Sequence, residues 1–130
     1  MDITQYIITP KDTPERAPLE TIIKLTKGRL NGGALYFPSG PAGTLHFIAR
    51  IGIHQIIPFN TGQSIALNNC VIPLSLGFTI EEPPFLLSCF TWNDSTLYDH
   101  ALTIVLHLDP HPADKMDLDA LIDRFYNYRT

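Results

Sequence analysis

Residues Thr44 to Ile51 read TLHFIARI, and within them Leu45, Phe47, Ala49 and Ile51 alternate with Thr44, His46 and Arg50. Successive side chains of a strand project to opposite faces, so this stretch has an apolar side for a core and a more polar side facing away from it. Similar short runs recur on both sides of it, separated by turn residues. They predict strands near Glu20 to Lys27, Leu30 to Phe37, Thr44 to Ile51, Ile53 to Phe59, Ser64 to Leu67, Val71 to Ile80, Phe85 to Trp92 and His100 to Leu108. Eight strands with no helix between them predict an all-β fold: an antiparallel β-sandwich, jelly-roll-like, of two packed sheets.

The two ends read differently. Residues 1–18, MDITQYIITPKDTPERAP, hold Pro10, Pro14 and Pro18 and lack sustained periodicity, which predicts an extended N-terminal arm. At the other end Leu118, Leu121, Ile122 and Phe125 recur at helical spacing, with Asp114, Asp117 and Asp119 early and Arg124 and Arg129 late. That order suits the helix dipole and predicts a short C-terminal amphipathic helix packed on the same domain. The division expected is therefore an arm over 1–18, a sandwich over 19–109 and a helical segment over 110–130. Inside the sandwich, Pro38-Ser39-Gly40-Pro41-Ala42-Gly43 and the polar stretch from Asn93 to Asp99 read as hairpin connections.

Composition narrows the function. Charged residues are 17% of the chain, below the usual quarter or so, and the net charge is −4. Residues 1–50 carry +2 and residues 51–130 carry −6, and the 64 positions between Arg50 and Lys115 contain no Lys or Arg. Nucleic-acid binding needs clustered cations, so no nucleic-acid partner is expected. The start MDITQYIITP lacks the basic and apolar regions of a signal peptide, and no run approaches the length of a membrane span. A cytoplasmic or virion location without membrane contact is the expectation. Cys70 and Cys89 make no disulfide framework, and whether they pair stays open.

Chemical motifs are sparse. His46 lacks a second His at its next same-face position, Ile48, so the paired-histidine pattern of a cupin metal centre is missing, although His54, His100 and His107 leave a metal-dependent enzyme as a third reading. Asp94, Ser95 and His100 hold the residue types of a nucleophilic triad but no strand-to-helix elbow surrounds Ser95. Glu81 and Glu82 are adjacent, hence on opposite faces of a strand, and do not form a facing acid pair. No catalytic residue, metal ligand or cofactor is assigned. A ligand-binding reading, for carbohydrate, would use Trp92, Asn93, Asp94, Tyr98 and His100.

The runs ITPKDTPERAPLETIIKLTKG, YFPSGPAGTLHF, HQIIPFN and TWNDSTLYDHALTIVL resemble small uncharacterised β-sandwich proteins of tailed phages and prophages. The resemblance implies a virion component and transfers no functional residue. The Pro-rich arm and the neutral surface lead to the same expectation: a non-enzymatic structural subunit, such as a capsid, decoration or tail-associated protein, that contacts other copies of itself and other particle proteins. Tyr6, Ile7, Ile8, Pro10, Pro14 and Pro18 are its expected assembly contacts.

Overall fold

The computed structural model describes residues 1–110, which form eight strands: β1 (Asp2–Thr9), β2 (Leu19–Lys24), β3 (Gly28–Phe37), β4 (Leu45–Ile51), β5 (His54–Ile57), β6 (Cys70–Ile80), β7 (Leu86–Asn93) and β8 (His100–Pro110). One sheet has the order β1-β8-β3-β6 and the other β2-β7-β4-β5, with every neighbouring pair antiparallel. The pairing is nested: first strand with last, second with seventh, third with sixth, fourth with fifth. That is the strand order of a jelly roll, the closed winding of one long antiparallel ribbon.

Alternation produces the core. Leu45, Phe47 and Ala49 of β4 face Leu30 and Leu35 of β3 and Leu102, Ile104, Leu106 and Leu108 of β8 across the sandwich, all essentially inaccessible to solvent. Burying each such large side chain contributes about 2 kcal/mol before ordering costs. Leu30 and Leu35 are an odd number of residues apart yet both point inward. A bulge between Leu30 and Gly32, opposite both β6 and β8, reverses the phase of the strand between them. At Gly33 a Cβ would sit 1.8 Å from the carbonyl oxygen of Val105, so the close approach of β3 to β8 admits no side chain there.

The expected arm is corrected. Asp2–Thr9 is an edge strand of the sandwich, pairing residue for residue with β8 from Asp2↔His107 to Thr9↔His100. Ile7 is 2% exposed and belongs to the core, so it is not an assembly contact. The three prolines all follow Thr9 and shape only the connection to β2, where Asp12 N–H donates to the Ser95 carbonyl and Lys11 N–H to the Asp99 carboxylate. The sandwich therefore begins well before Leu19.

Other expectations shift too. Ser64 to Leu67 is no strand; Ile65 makes a single bridge to Phe47, exchanging both backbone hydrogen bonds with it. The Pro38–Gly43 and Asp94–Asp99 connections do not close hairpins but carry the chain from one sheet to the other, because β3 and β4, and likewise β7 and β8, lie in different layers. Turn residues reverse the chain equally well in either case. Among the described residues only β4 and β5 form a hairpin between neighbours, with Gly52 at φ +60 in its turn. The C-terminal helix expected within 110–130 lies outside the described residues, apart from Pro110, which ends β8.

A pair of buried hydroxyls ties the two sheets together inside the sandwich. The Thr9 hydroxyl of β1 donates to the Thr91 hydroxyl of β7 at 2.7 Å, and both residues are fully buried. Thr91→Val leaves the Thr9 hydroxyl without its acceptor and is expected to cost about 1–3 kcal/mol, whereas Thr9→Val with Thr91→Val should cost less than the two single changes together. Urea unfolding of the three variants measures that coupling. Burial also pushes the Cys89 thiol up from 9.0 to about 12. Its neutral form is favoured in the fold, so the stabilisation is complete below about pH 9 and fades as the pH rises toward 12. Cys89→Ala should flatten the alkaline decline of stability, and a thiol reagent near pH 8 should titrate only Cys70 in the native protein.

Candidate functional site

The connections β1–β2, β3–β4, β5–β6 and β7–β8 meet at one end of the sandwich, and side chains lace them together. Asn93, buried at the end of β7, donates from Nδ2 to the carbonyls of Thr9 (3.2 Å) and Tyr98 (3.0 Å), accepts from the Ser95 N–H (3.0 Å), and its own N–H donates to the Thr13 carbonyl (2.9 Å). Asn68 Oδ1 accepts from the N–H groups of Gly40 and Ala42. Ser95 Oγ accepts from the N–H groups of Leu97 and Tyr98, a local side-chain turn.

A Ser–His–Asp arrangement does exist, keeping Asp94 but with Ser64 and His46 in place of Ser95 and His100. His46, on the outward side of β4, has Nδ1 2.8 Å from Ser64 Oγ and Nε2 3.0 Å from Asp94 Oδ2. A neutral imidazole satisfies both contacts by donating Nε2–H to the carboxylate and accepting the Ser64 hydroxyl proton at Nδ1. Acyl transfer also needs donors waiting for an oxyanion. The N–H groups flanking Ser64 are already spent: Gln63 donates to Asn60 and Ile65 to Phe47. The arrangement works as a tie, joining the β5–β6 connection to the start of the β7–β8 connection.

The residues of the expected carbohydrate site are dispersed. Trp92 lies opposite His46 in the β4–β7 ladder and stacks on it, centroids 5.0 Å apart and planes within 5°. At 7% exposure Trp92 presents no open ring face for a sugar. Asp94 joins it at His46, Asn93 turns inward, and Tyr98 and His100 form a separate tilted pair with centroids 6.5 Å apart. Beside Trp92 a hollow of about 360 Å³ is bordered by Phe90, Ile48, Arg50, Pro18 and Glu15, with the Arg50 guanidinium 5.2 Å from the centre of the Phe90 ring. Among the described residues, no three His, Cys, Asp or Glu side chains gather closely enough to hold a metal ion.

The most distinctive surface is the outward face of the β1-β8-β3-β6 sheet. Register places Tyr6, Thr103, Tyr36 and Val71 in one row across all four strands, Thr4, Val105, Ala34 and Pro73 in the next, and the pair Ile8 and Ala101 toward the loop end. No charged side chain interrupts these rows, while Tyr6, Ile8 and Val71 are 59%, 56% and 54% exposed. A shallow groove of about 380 Å³ runs between Tyr6, Tyr36 and Val71. Charge begins only farther along the face. There His107 sits 2.6 Å from Asp2, the hydrogen bond and then the charge of His107 holding that carboxyl below its usual range, and Arg29, Asn31 and Asp109 form a second polar group.

Tyr6 and Ile8 were legible as candidate contacts, whereas Tyr36 and Val71 were not singled out; their positions opposite the inward Leu35 and Ile72 are the signal that finds them. Pro10 is exposed but follows the strand, and Pro14 and Pro18 lie half-buried in the β1–β2 connection. Among the described residues no helix is long and apolar enough to cross a membrane. Comparison of the chain with protein-family models, with curated proteins and with solved structures gives no match.

The His46 tie is testable through the single tryptophan. His46→Ala removes the stacked ring and both loop contacts, and should red-shift Trp92 emission and raise its quenching by acrylamide at least twofold, with the sandwich still folded by far-UV circular dichroism.

Proposed function

We propose that this chain is a non-enzymatic assembly subunit whose contact surface is the uncharged outward face of the β1-β8-β3-β6 sheet. The observation that carries this reading is the set of exposed apolar side chains, Tyr6, Ile8, Tyr36 and Val71, on a continuous patch without a charge to desolvate. Exposed apolar patches of this kind mark contact sites, and interface centres are enriched in aromatic residues and depleted of charge. The jelly-roll order is one used by capsid subunits, and also by lectins and cupins, so the fold supports an assembly role by analogy alone.

The partner is another copy of this chain or a second protein of the same particle. The resemblance to phage proteins makes a virion the setting proposed, with the cytoplasm as the place of synthesis. The ligand-binding reading is weaker because Trp92 is covered, and the polar groups near it are engaged with one another.

Placing charge on the patch is the direct test. Tyr6→Lys combined with Val71→Lys places two cations on the rows described, at positions already open to solvent, so the urea midpoint should stay close to that of the parent. Self-association or particle incorporation should weaken at least tenfold. Unchanged native mass and unchanged incorporation would remove this surface from the proposal.

A further inference from the structure

The sandwich is open along one side, where the edge strands β5 and β6 border a cleft of about 890 Å³. Its apolar lining includes the buried Ile56 and the half-buried Leu76 and Phe78. Two further lining residues stand out from it: Ile53 at the β4–β5 turn is 91% exposed and Phe59, just after β5, is 86% exposed. Neither folds back to fill the space. Phe59 is held outward by its segment, since the Gln55 side-chain amide donates to the carbonyls of Pro58 (2.8 Å), Gln63 (3.1 Å) and Asn60 (3.3 Å) and fixes the chain on both sides of it.

One patch thus carries both an apolar projection and an apolar recess beside it. A two-fold axis lets each copy of such a patch satisfy the other, because residue i then meets residue j and j meets i. Like surfaces can meet only if they do not repel, and among the described residues no Lys, Arg, Asp or Glu lines this cleft, His54 being its one titratable side chain. The lining is mainly apolar, with the Arg29 guanidinium only at its edge beside Gly77, so a second copy of the same surface meets it apolar face to apolar face.

We infer that the β5–β6 cleft is a self-contact in which each of two copies seats its Phe59 in the recess of the other, with Ile53 closing the rim. This contact lies apart from the face of Tyr6 and Val71 and does not depend on it.

Sedimentation velocity over a range of concentrations, on the full chain, tests the two surfaces separately. Phe59→Ser and Ile53→Ser remove nearly fully exposed side chains, so folding should be preserved, and each should weaken association through the cleft at least tenfold. The Tyr6→Lys/Val71→Lys protein should keep the cleft contact and sediment as a dimer that the further change Phe59→Ser converts to monomer. Three outcomes would overturn the inference: a monomer at every concentration, a dimer indifferent to Phe59→Ser, or a monomer that Phe59→Ser destabilises. The last would assign the recess to residues 111–130 of the same chain. Failure of the sheet-face contact would show instead as a mass insensitive to Tyr6→Lys/Val71→Lys.

Discussion

The hydrogen bonds between β1 and β7 decide what kind of molecule this is. Thr9 and Thr91 belong to different sheets, yet their hydroxyls meet in the interior, and the Asn93 side chain reaches the Thr9 carbonyl beside them. Buried polar groups without partners are costly, so these three residues must stay together once the two sheets close on the apolar core. The first strand is thereby fixed to both layers, by its ladder with β8 and by this polar cluster. With β1 in place, Tyr6 and Ile8 become part of a rigid face instead of a loose extension.

Much of the fold was legible because alternation is a local signal. In TLHFIARI the residues that read as inward are inward, and the all-β class, the sandwich and seven of the strands follow from similar runs. The eighth was misplaced for a physical reason: prolines at 10, 14 and 18 drew the N-terminus toward a loop reading, although the alternation of Ile3, Gln5, Ile7 and Thr9 ends just before the first of them. Ser64 to Leu67 looked like a strand because Ile65 does pair, but only once. Turn chemistry gave the positions of the connections and not their destinations, since Gly and Pro report a reversal and say nothing about which sheet receives the chain.

Less of the site could be read. His46 and Ser64 are 18 residues apart and His46 and Asp94 are 48 apart, and only the closing of the loop end brings them together. The sequence held the residue types of a triad in one stretch, whereas the structure assembles them from three segments, with the Gln63 and Ile65 N–H groups beside Ser64 donating to the carbonyls of Asn60 and Phe47. The lack of any Lys or Arg between Arg50 and Lys115 was visible from the start. Its meaning required the register, which sets Val71 beside Tyr36 on one face and, on the open side, leaves Ile53 and Phe59 projecting next to a recess.

The nested pairing also governs how the chain can be made. Because Asp2 pairs with His107 and Thr9 with His100, the first strand has no partner until the last has been synthesised. Ribosomes add on the order of 5–20 residues per second, so β1 waits several seconds with its hydrogen-bonding edge and Tyr6, Ile7 and Ile8 uncovered. The only neighbouring pair that can form early is the β4–β5 hairpin, in the middle of the ribbon, and closure proceeds outward from there. For a cell producing many copies at once, that interval is when adjacent nascent chains compete for one another's unpaired first strands, and molecular chaperones become part of the yield.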